Sequence, residues 1–501
     1  MKSAAAILLC SAVTVLAGTP ESVTAPAHSK SPAGEADFYR IESVPYPEEA
    51  VLEVGGLCRM SDGRVMVGMR RGEIWVRRGT AWRRFASGLD EPMGLWPAGS
   101  NQVVVAQRPE LTRVTDTDGD GEADSFETLA DQWNYSGHVY EWTFGPVADR
   151  AGNLYGALAC WFFPTTKYEK PPYSGWEIPP PRSHQPGTST AWRGWCFQLT
   201  PRGEFVPFAT GLRSPNGLGV SPSGDLFVSD NQGEFRGACE LHHVTRGDFL
   251  GHPNGLFWGP EASADPFNVP LEELDRRRKL PAIVFPFSLM GQSLSEPVWD
   301  ETGGKFGLFA GQMFIGDQTH STVMRVALEK VDGEYQGACF PFRRGFLCGV
   351  NRLLFDADGS LLTGQTDRGW PSLGGQHEGL QRLVWTGAMP FEIERMTARP
   401  DGFELRFTQP LAAGNVETNA VSVRHFRYPY RRAYGGPALD MTNEIPRAVE
   451  VSADRRSLRV ALPPLVARTI YHLRAPGLKS EDGSPLLHDA AYYTLNRVPK
   501  P

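Results

Sequence analysis

The densest set of oxygen donors in the chain is DTDGDGEADSFE, residues 116–127. Asp116, Asp118 and Asp120 stand at positions 1, 3 and 5 of a twelve-residue loop, with Gly121 at the sharp turn. Glu122 offers a carbonyl at position 7, Asp124 falls at 9 and Glu127 at 12. A hard divalent cation takes roughly six to eight oxygens, and this spacing wraps them around one centre, so the loop is expected to bind calcium in a structural role. The alternative is a solvated acidic turn. His138, in NYSGHVYEW, is a candidate general base, because a neutral imidazole can take a proton from a bound hydroxyl. His242 and His243 are adjacent on a strand and point to opposite faces, which argues against a shared metal. There is no Gly-rich phosphate loop, no Gly-x-Ser-x-Gly elbow and no His-Glu-x-x-His.

The elements that must position such groups repeat. RSPNGLGVSPSGDLFVSDNQ, residues 213–232, reads as a strand, a Gly turn and a second strand that ends on polar residues. Six copies occur, with turn glycines Gly63, Gly99, Gly152, Gly224, Gly311 and Gly359. Short strands rich in Val, Leu, Phe and Tyr, repeated this way, predict an all-β chain with a six-bladed β-propeller over residues 38–388. A large β-sandwich would not account for the sixfold repeat. In a propeller the residues just before the first strand and just after the second meet at one mouth of the axial channel. Those positions include Glu91, Met93, Gln107, Arg108, His138, Arg213, Asn216, Asp230, Asn231, Glu296, Asp317, Gln318, Arg352 and Asp367. They are read as a ring of site residues, with hydrophilic turn residues as the plain alternative.

Beyond the sixth copy, residues 389–501 alternate apolar and polar positions between Gly, Pro and Asp turns, the pattern of a small Ig-like β-sandwich. Within it FRYPYRRAYGGP packs aromatics with arginines and reads as a segment that docks one domain on another, or as a carbohydrate or partner surface. The stretch from Trp161 to Trp195, rich in aromatics and prolines, suits either sugar stacking over the channel or a self-packed cap.

At the start, Lys2 precedes an apolar run from Ala4 to Leu16, which predicts a signal peptide over residues 1–17 and a secreted or periplasmic protein; the run is too short to span a bilayer. Residues 18–37, rich in Ser, Pro, Ala and Thr, are expected to be a disordered linker. A formal net charge of −7 with no long basic run argues against nucleic acid as a partner. Six cysteines remain after Cys10, and export makes disulfides plausible; proximity in sequence favours Cys160 with Cys196 and Cys339 with Cys348.

GLRSPNGLGVSPSGDLFVSDN followed by CELHHVTRGDFLGHP resembles the glucose/sorbosone dehydrogenases, soluble quinoproteins on a six-bladed propeller, and RRRKLPAIVFPFSLMGQS, GGKFGLFAGQMFIGDQTHSTVMRV and TDTDGDGEADSFETL are similar to a secreted bacterial branch of that family. The resemblance covers about Tyr39 to Gly387, and the tail resembles bacterial Ig-like modules. It implies oxidation of a sugar or aldehyde with pyrroloquinoline quinone, His138 as the base, and Arg213, Asn216, Gln318 and Arg352 toward the cofactor. Gln318 stands where the family has a lysine. The family's base-orienting aspartate falls at Cys160, and its paired arginines fall at Gly349 and Asn351. Two other readings stay open. One is a propeller that cleaves a lactone or glycan with a channel-bound divalent ion held by Asp230, Asp317 or Glu296. The other is a glycan-binding or scaffold propeller without catalysis.

Overall fold

A computed structural model describes residues 34–134, 140–160, 190–263 and 265–501. The signal peptide, most of the linker, His138 and residues 161–189 of the aromatic insertion lie outside the described residues. Six four-stranded antiparallel blades form a ring, their innermost strands touching in chain order with the sixth against the first. Blade 1 is Val54–Arg59, Val65–Met69, Glu73–Arg78 and Ala81–Ala86; blade 2 is Leu95–Gly99, Gln102–Ala106, Leu111–Thr115 and Ser125–Ala130. Blade 3 is Thr143–Ala148, Leu154–Leu158, Trp195–Leu199 and Phe205–Thr210; blade 4 is Pro215–Val220, Leu226–Asp230, Cys239–Val244 and Ile283–Phe285. Blade 5 is Leu294–Trp299, Met313–Asp317, Thr322–Val331 and Glu334–Arg344. Blade 6 is Val350–Phe355, Leu361–Thr366 and Glu378–Trp385, completed on the outside by Tyr39–Ser43 from the other end of the chain, with Tyr39 opposite Trp385.

Five of the six predicted turn glycines lie between the first and second strands of their blades, and Gly99 ends the first strand of blade 2. Gly63, Gly152, Gly224, Gly311 and Gly359 have φ between 79° and 93°, a conformation that costs glycine little and other residues much. Close approach of neighbouring blades needs glycine as well: a Cβ on Gly217 would lie 2.3 Å from Glu296 Cα, and one on Gly94 would lie 1.7 Å from the Gly145 carbonyl oxygen. Alternating side chains fill the spaces between blades. Near the closing strand an aromatic cluster of Tyr39, Phe306, Phe314, Phe342 and Phe355 packs blade 5 against blade 6.

The C-terminal region is a β-sandwich, but it does not merely follow the propeller. Ala490–Leu495 pairs with the outermost strand of blade 5 at Gly337, Ala338 and Cys339, so blade 5 and the sheet Ala490–Leu495, Thr469–Arg474, Ser422–Arg427 and Leu439–Glu444 form one eight-stranded sheet. The facing sheet is Ile393–Arg399, Gly402–Phe407, Ser457–Ala461 and Ala448–Val451. Ala327, Ala338 and Phe340 of blade 5 belong to the sandwich's own apolar core.

Two expectations change. The linker ends earlier than residue 37, because Glu35–Phe38 is a short helix whose Glu35 accepts from the Arg344 backbone N–H at 2.8 Å and pairs with Arg343 and His488. All six cysteines are buried free thiols, so neither proposed disulfide forms. Cys160 sits beside the Leu212 and Arg213 carbonyls, Cys196 is in the core of blade 3, Cys339 is in the core shared by blades 4 and 5, and Cys348 lies 3.5 Å from Ser372 Oγ. No helix among the described residues is long and apolar enough to cross a membrane.

Candidate functional site

A cavity of about 260 Å³ opens at the axial mouth where the second strands end, and every blade lines it. Arg70 comes from blade 1, Met93 from blade 2, Trp142, Phe144 and Cys160 from blade 3, Arg213, Asn216, Asn231 and Gln232 from blade 4, Gln292, Ser293 and Gln318 from blade 5, and Arg368 and Trp370 from blade 6. Tyr434, from the sandwich, lines it too. Tyr140, Trp142 and Phe144 alternate along the chain and so share a side. They form an edge-to-face ladder, with centroids 5.4 Å apart for the first pair and 6.1 Å for the second. The Arg70 guanidinium lies 4.9 Å from the Trp142 ring and that of Arg213 lies 5.2 Å from the Tyr434 ring.

Each of the cations around this cavity has a carboxylate beside it, with Arg70, Arg108 and Arg368 sharing Glu91. Arg70 is buried, donates to Glu91 and to the Arg368 carbonyl, and burial holds its pKa below the ordinary value despite Glu91. Glu91 also accepts from Arg108 Nε at 2.8 Å and lies 3.4 Å from Arg368 Nε. Burial works to raise its pKa, and Arg70 and Arg108 outweigh it, so the group stays an anion. Arg368 lies 3.4 Å from Glu53 as well. Arg213 donates through Nε to Glu234 at 3.0 Å and through a terminal nitrogen to the Gln232 carbonyl at 3.3 Å. Glu234 keeps it charged against the penalty of burial.

The predicted mouth residues divide into three groups. Asp230 and Asp317 end the second strands of blades 4 and 5, are fully buried, and bind the connecting backbone. Asp230 accepts from the N–H groups of Arg213 at 2.8 Å and Ser214 at 2.6 Å and pairs with Arg236 at 2.8 Å. Asp317 accepts from Gln292, Ser293 and His320, each at 2.7 Å. Gln107 does the same in blade 2, accepting from the Asp90 N–H at 2.5 Å. The polar ends of these hairpins are therefore backbone caps, a correction to their assignment as substrate or metal groups: their oxygens are spent on N–H donors.

Arg352 and Glu296 lie deeper. Arg352 is buried under the mouth, donates to the carbonyls of Asn216 at 2.9 Å, Asn351 at 2.6 Å and Met93 at 2.9 Å, and braces blades 2, 4 and 6 across the axis. It does not line the mouth cavity, which corrects its assignment to a cofactor there. Burial brings its pKa down to about 10, with Glu296 opposing. Glu296, 3.6 Å from Arg352, faces the narrow channel and the funnel at the opposite end of the axis, also away from the mouth cavity. Burial pushes its pKa up to about 7, and Arg352 offsets only part of that. Asp367 sits at the edge, 2.6 Å from the exposed His377, and does not line the cavity either.

Asn216, Asn231 and Gln318 do line it. Asn216 Nδ2 donates to the Leu294 carbonyl at 3.0 Å, Asn231 Oδ1 accepts from the Leu294 N–H at 2.6 Å, and Gln318 donates to the Trp370 carbonyl at 3.0 Å. Residues that the sequence reading did not place at the mouth are Arg70, Trp142, Arg368, Trp370 and Tyr434. Arg70 directly follows the second strand of blade 1, the position used for the other blades, and the alternation in YEWTF marks Trp142. Tyr434 lies in FRYPYRRAYGGP, read as a docking segment or as a carbohydrate or partner surface, but nothing local places it at the mouth.

The acidic loop lies on blade 2 between its third and outer strands, away from the mouth. Ligand oxygens of Asp116, Asp118 and Asp120 fall within 4.8 Å of one another. Asp124 instead accepts from the Thr117 N–H at 3.0 Å and hydroxyl at 2.6 Å, and Glu127 lies on the outer strand paired with Arg113 at 2.5 Å. Three of the predicted ligands therefore converge, and the last two are turned to other partners.

Pyrroloquinoline quinone is a polyanion, and each described arginine lining the mouth already has a carboxylate beside it. Arg70, Arg213 and Arg368 are each paired with Glu91, Glu234 or Glu53, Gln318 is neutral, and Arg352 is consumed by carbonyls beneath the floor. A carboxylate entering this cradle would compete with Glu91, Glu53 and Glu234 for the arginines they already contact.

Fold and site together define a six-bladed propeller with an aromatic axial mouth, to which the fused sandwich contributes Tyr434. No family model and no curated protein matches the chain. Solved structures similar to it include a glucose dehydrogenase (17% identity, TM-score 0.48, covering 70% of this chain and 99% of that one) and the PQQ-bound aldose sugar dehydrogenase of Streptomyces coelicolor (14%, 0.44, 71% and 99%). A gluconolactonase of Xanthomonas campestris is similar at 14% identity and TM-score 0.40, over 70% of this chain and 92% of that one. Substrate and cofactor do not transfer across likeness of this degree.

Proposed function

We propose that the axial mouth binds a neutral carbohydrate, and that the chain is an exported sugar-binding propeller without a tightly held quinone. The observation that carries this is the ladder of aromatic rings at the mouth, beside arginines that, among the described residues, each already contact a glutamate. Apolar ring faces suit the C–H faces of a sugar, and the amides of Gln292 and Gln318 suit its hydroxyls. Calorimetric titration with neutral mono- and oligosaccharides tests the reading, with Trp142→Ala as the variant expected to lose binding. Absence of binding across the panel overturns it. A parallel assay with pyrroloquinoline quinone, calcium and a redox dye separates it from the dehydrogenase reading, which gains if sugar-dependent dye reduction appears.

Export by the N-terminal apolar segment belongs to the same proposal and is tested by fractionating cells that express the full chain. Calcium on Asp116, Asp118 and Asp120 would be a structural ion of blade 2. Excess chelator is then expected to lower the melting temperature, and Asp118→Ala to abolish the response.

A further inference from the structure

We infer that Tyr434, carried to the mouth by the C-terminal sandwich, is a ligand-contacting residue that restricts the site to a single sugar ring or chain end. The inference rests on the carbohydrate reading above. Residues 428–436 leave the sandwich strand Ser422–Arg427 and cross onto blade 4 as a strap. Backbone bonds hold it at two points: the Arg431 carbonyl accepts from the Phe235 N–H at 2.9 Å, and the Gly435 N–H donates to the Gly233 carbonyl at 2.9 Å. Side chains add three more, with the Tyr428 hydroxyl accepting from the Phe287 N–H at 3.0 Å, the Tyr430 hydroxyl donating to the Gly251 carbonyl, and Arg432 donating to the Val269 carbonyl at 2.8 Å.

Between these anchors only Tyr434 reaches the cavity. Its ring packs against the guanidinium of Arg213, which Glu234 and the Gln232 carbonyl already hold in place, so the ring rests on a fixed support. The phenol of Tyr140, at the start of the aromatic ladder, is near enough to act on that of Tyr434 electrostatically. Burial pushes the Tyr434 hydroxyl up from its ordinary pKa, so it remains a neutral donor and acceptor at physiological pH. A cavity of about 260 Å³ bounded in this way lies below the roughly 300–1,000 Å³ usual for small-molecule pockets, which favours one ring over several. An aromatic on a pinned strap presents contact area at little entropic cost when a ligand arrives.

The test titrates glucose, galactose, mannose and xylose, with maltotriose and cellotriose, into the full chain and into Tyr434→Ala, Tyr434→Phe and Trp142→Ala. Tyr434→Ala is expected to weaken monosaccharide binding at least tenfold and to shift the ratio of trisaccharide to monosaccharide affinity toward the longer ligand. Tyr434→Phe, which keeps the ring on Arg213, is expected to stay within about threefold of wild type. Monosaccharide affinity unchanged in Tyr434→Ala, while Trp142→Ala has lost it, overturns the inference and leaves the carbohydrate site standing. An unchanged ratio overturns the size restriction. No sugar bound by wild type overturns both. Should Tyr434→Ala fail to fold, Tyr434→Leu replaces it, keeping bulk against Arg213 without the aromatic face.

Discussion

Asp230 and Asp367 occupy similar places in their blades, the one ending a second strand and the other just after it, yet their surroundings are opposite. Asp230 is fully buried with two backbone N–H groups and Arg236 on its oxygens, whereas Asp367 is partly exposed with only His377 beside it. Removing one partner of a buried ion pair leaves the other charge uncompensated, so Asp230→Asn is expected to lower unfolding free energy by about 3 kcal/mol in urea titrations. Asp367→Asn is expected to change it by less than about 0.5 kcal/mol. Sequence reading could not separate these two residues, because the burial and the backbone partners that distinguish them depend on tertiary packing. His488 gives a pH dependence. It is buried between Glu392 and Glu35, and although burial alone would lower its pKa, the two carboxylates raise it to about 9. Its contribution, of order 3 kcal/mol, is fully present below pH 6.5 and is lost as pH rises through about 9. The melting-temperature difference between wild type and His488→Gln is therefore expected to shrink steadily between pH 6.5 and 9.5.

At the scale of elements, the Gly-turn hairpins were legible because the turns need a backbone conformation that favours glycine, as the positive φ of Gly63, Gly152 and Gly359 shows. The glycines between blades carry a different demand, which is space. Gly217→Ala places a methyl against Glu296 Cα, so blades 4 and 5 must separate near the axis. We expect it to cost about 2 kcal/mol, read from the urea midpoint, whereas Gly224→Ala acts through its positive φ and costs about 1 kcal/mol. The strap at residues 428–436 was legible as a docking segment from its mixture of aromatics and arginines. Its delivery of Tyr434 to the mouth was not, because contact with Arg213 lies some 200 positions away along the chain and leaves no local pattern.

For the molecule as a whole, the boundary expected near residue 388 separates two sequence patterns but not two cores. Ala338 and Phe340 of blade 5 are buried in the sandwich, and Phe426, Ile470 and Tyr492 of the sandwich are buried against blades 4 and 5. A chain ended at Gly387 exposes both surfaces and the outer edge of blade 5, which pairs with Ala490–Leu495 in the intact protein. It is expected to accumulate in the insoluble fraction on expression, while the full chain stays soluble; a soluble, cooperatively melting truncation would show that the propeller stands alone.

Tyr39–Ser43 pairs with Glu378–Trp385, which leaves the ribosome only after nearly the whole ring has been made. The first of the described strands to be synthesised thus waits for the last strand of the ring, and nothing made earlier can seal the circle. Until Glu378–Trp385 has emerged the nascent chain carries Tyr39–Ser43 unpaired, with the entropy of a long loop still to be overcome. It remains threadable for as long as its final blade is unfinished.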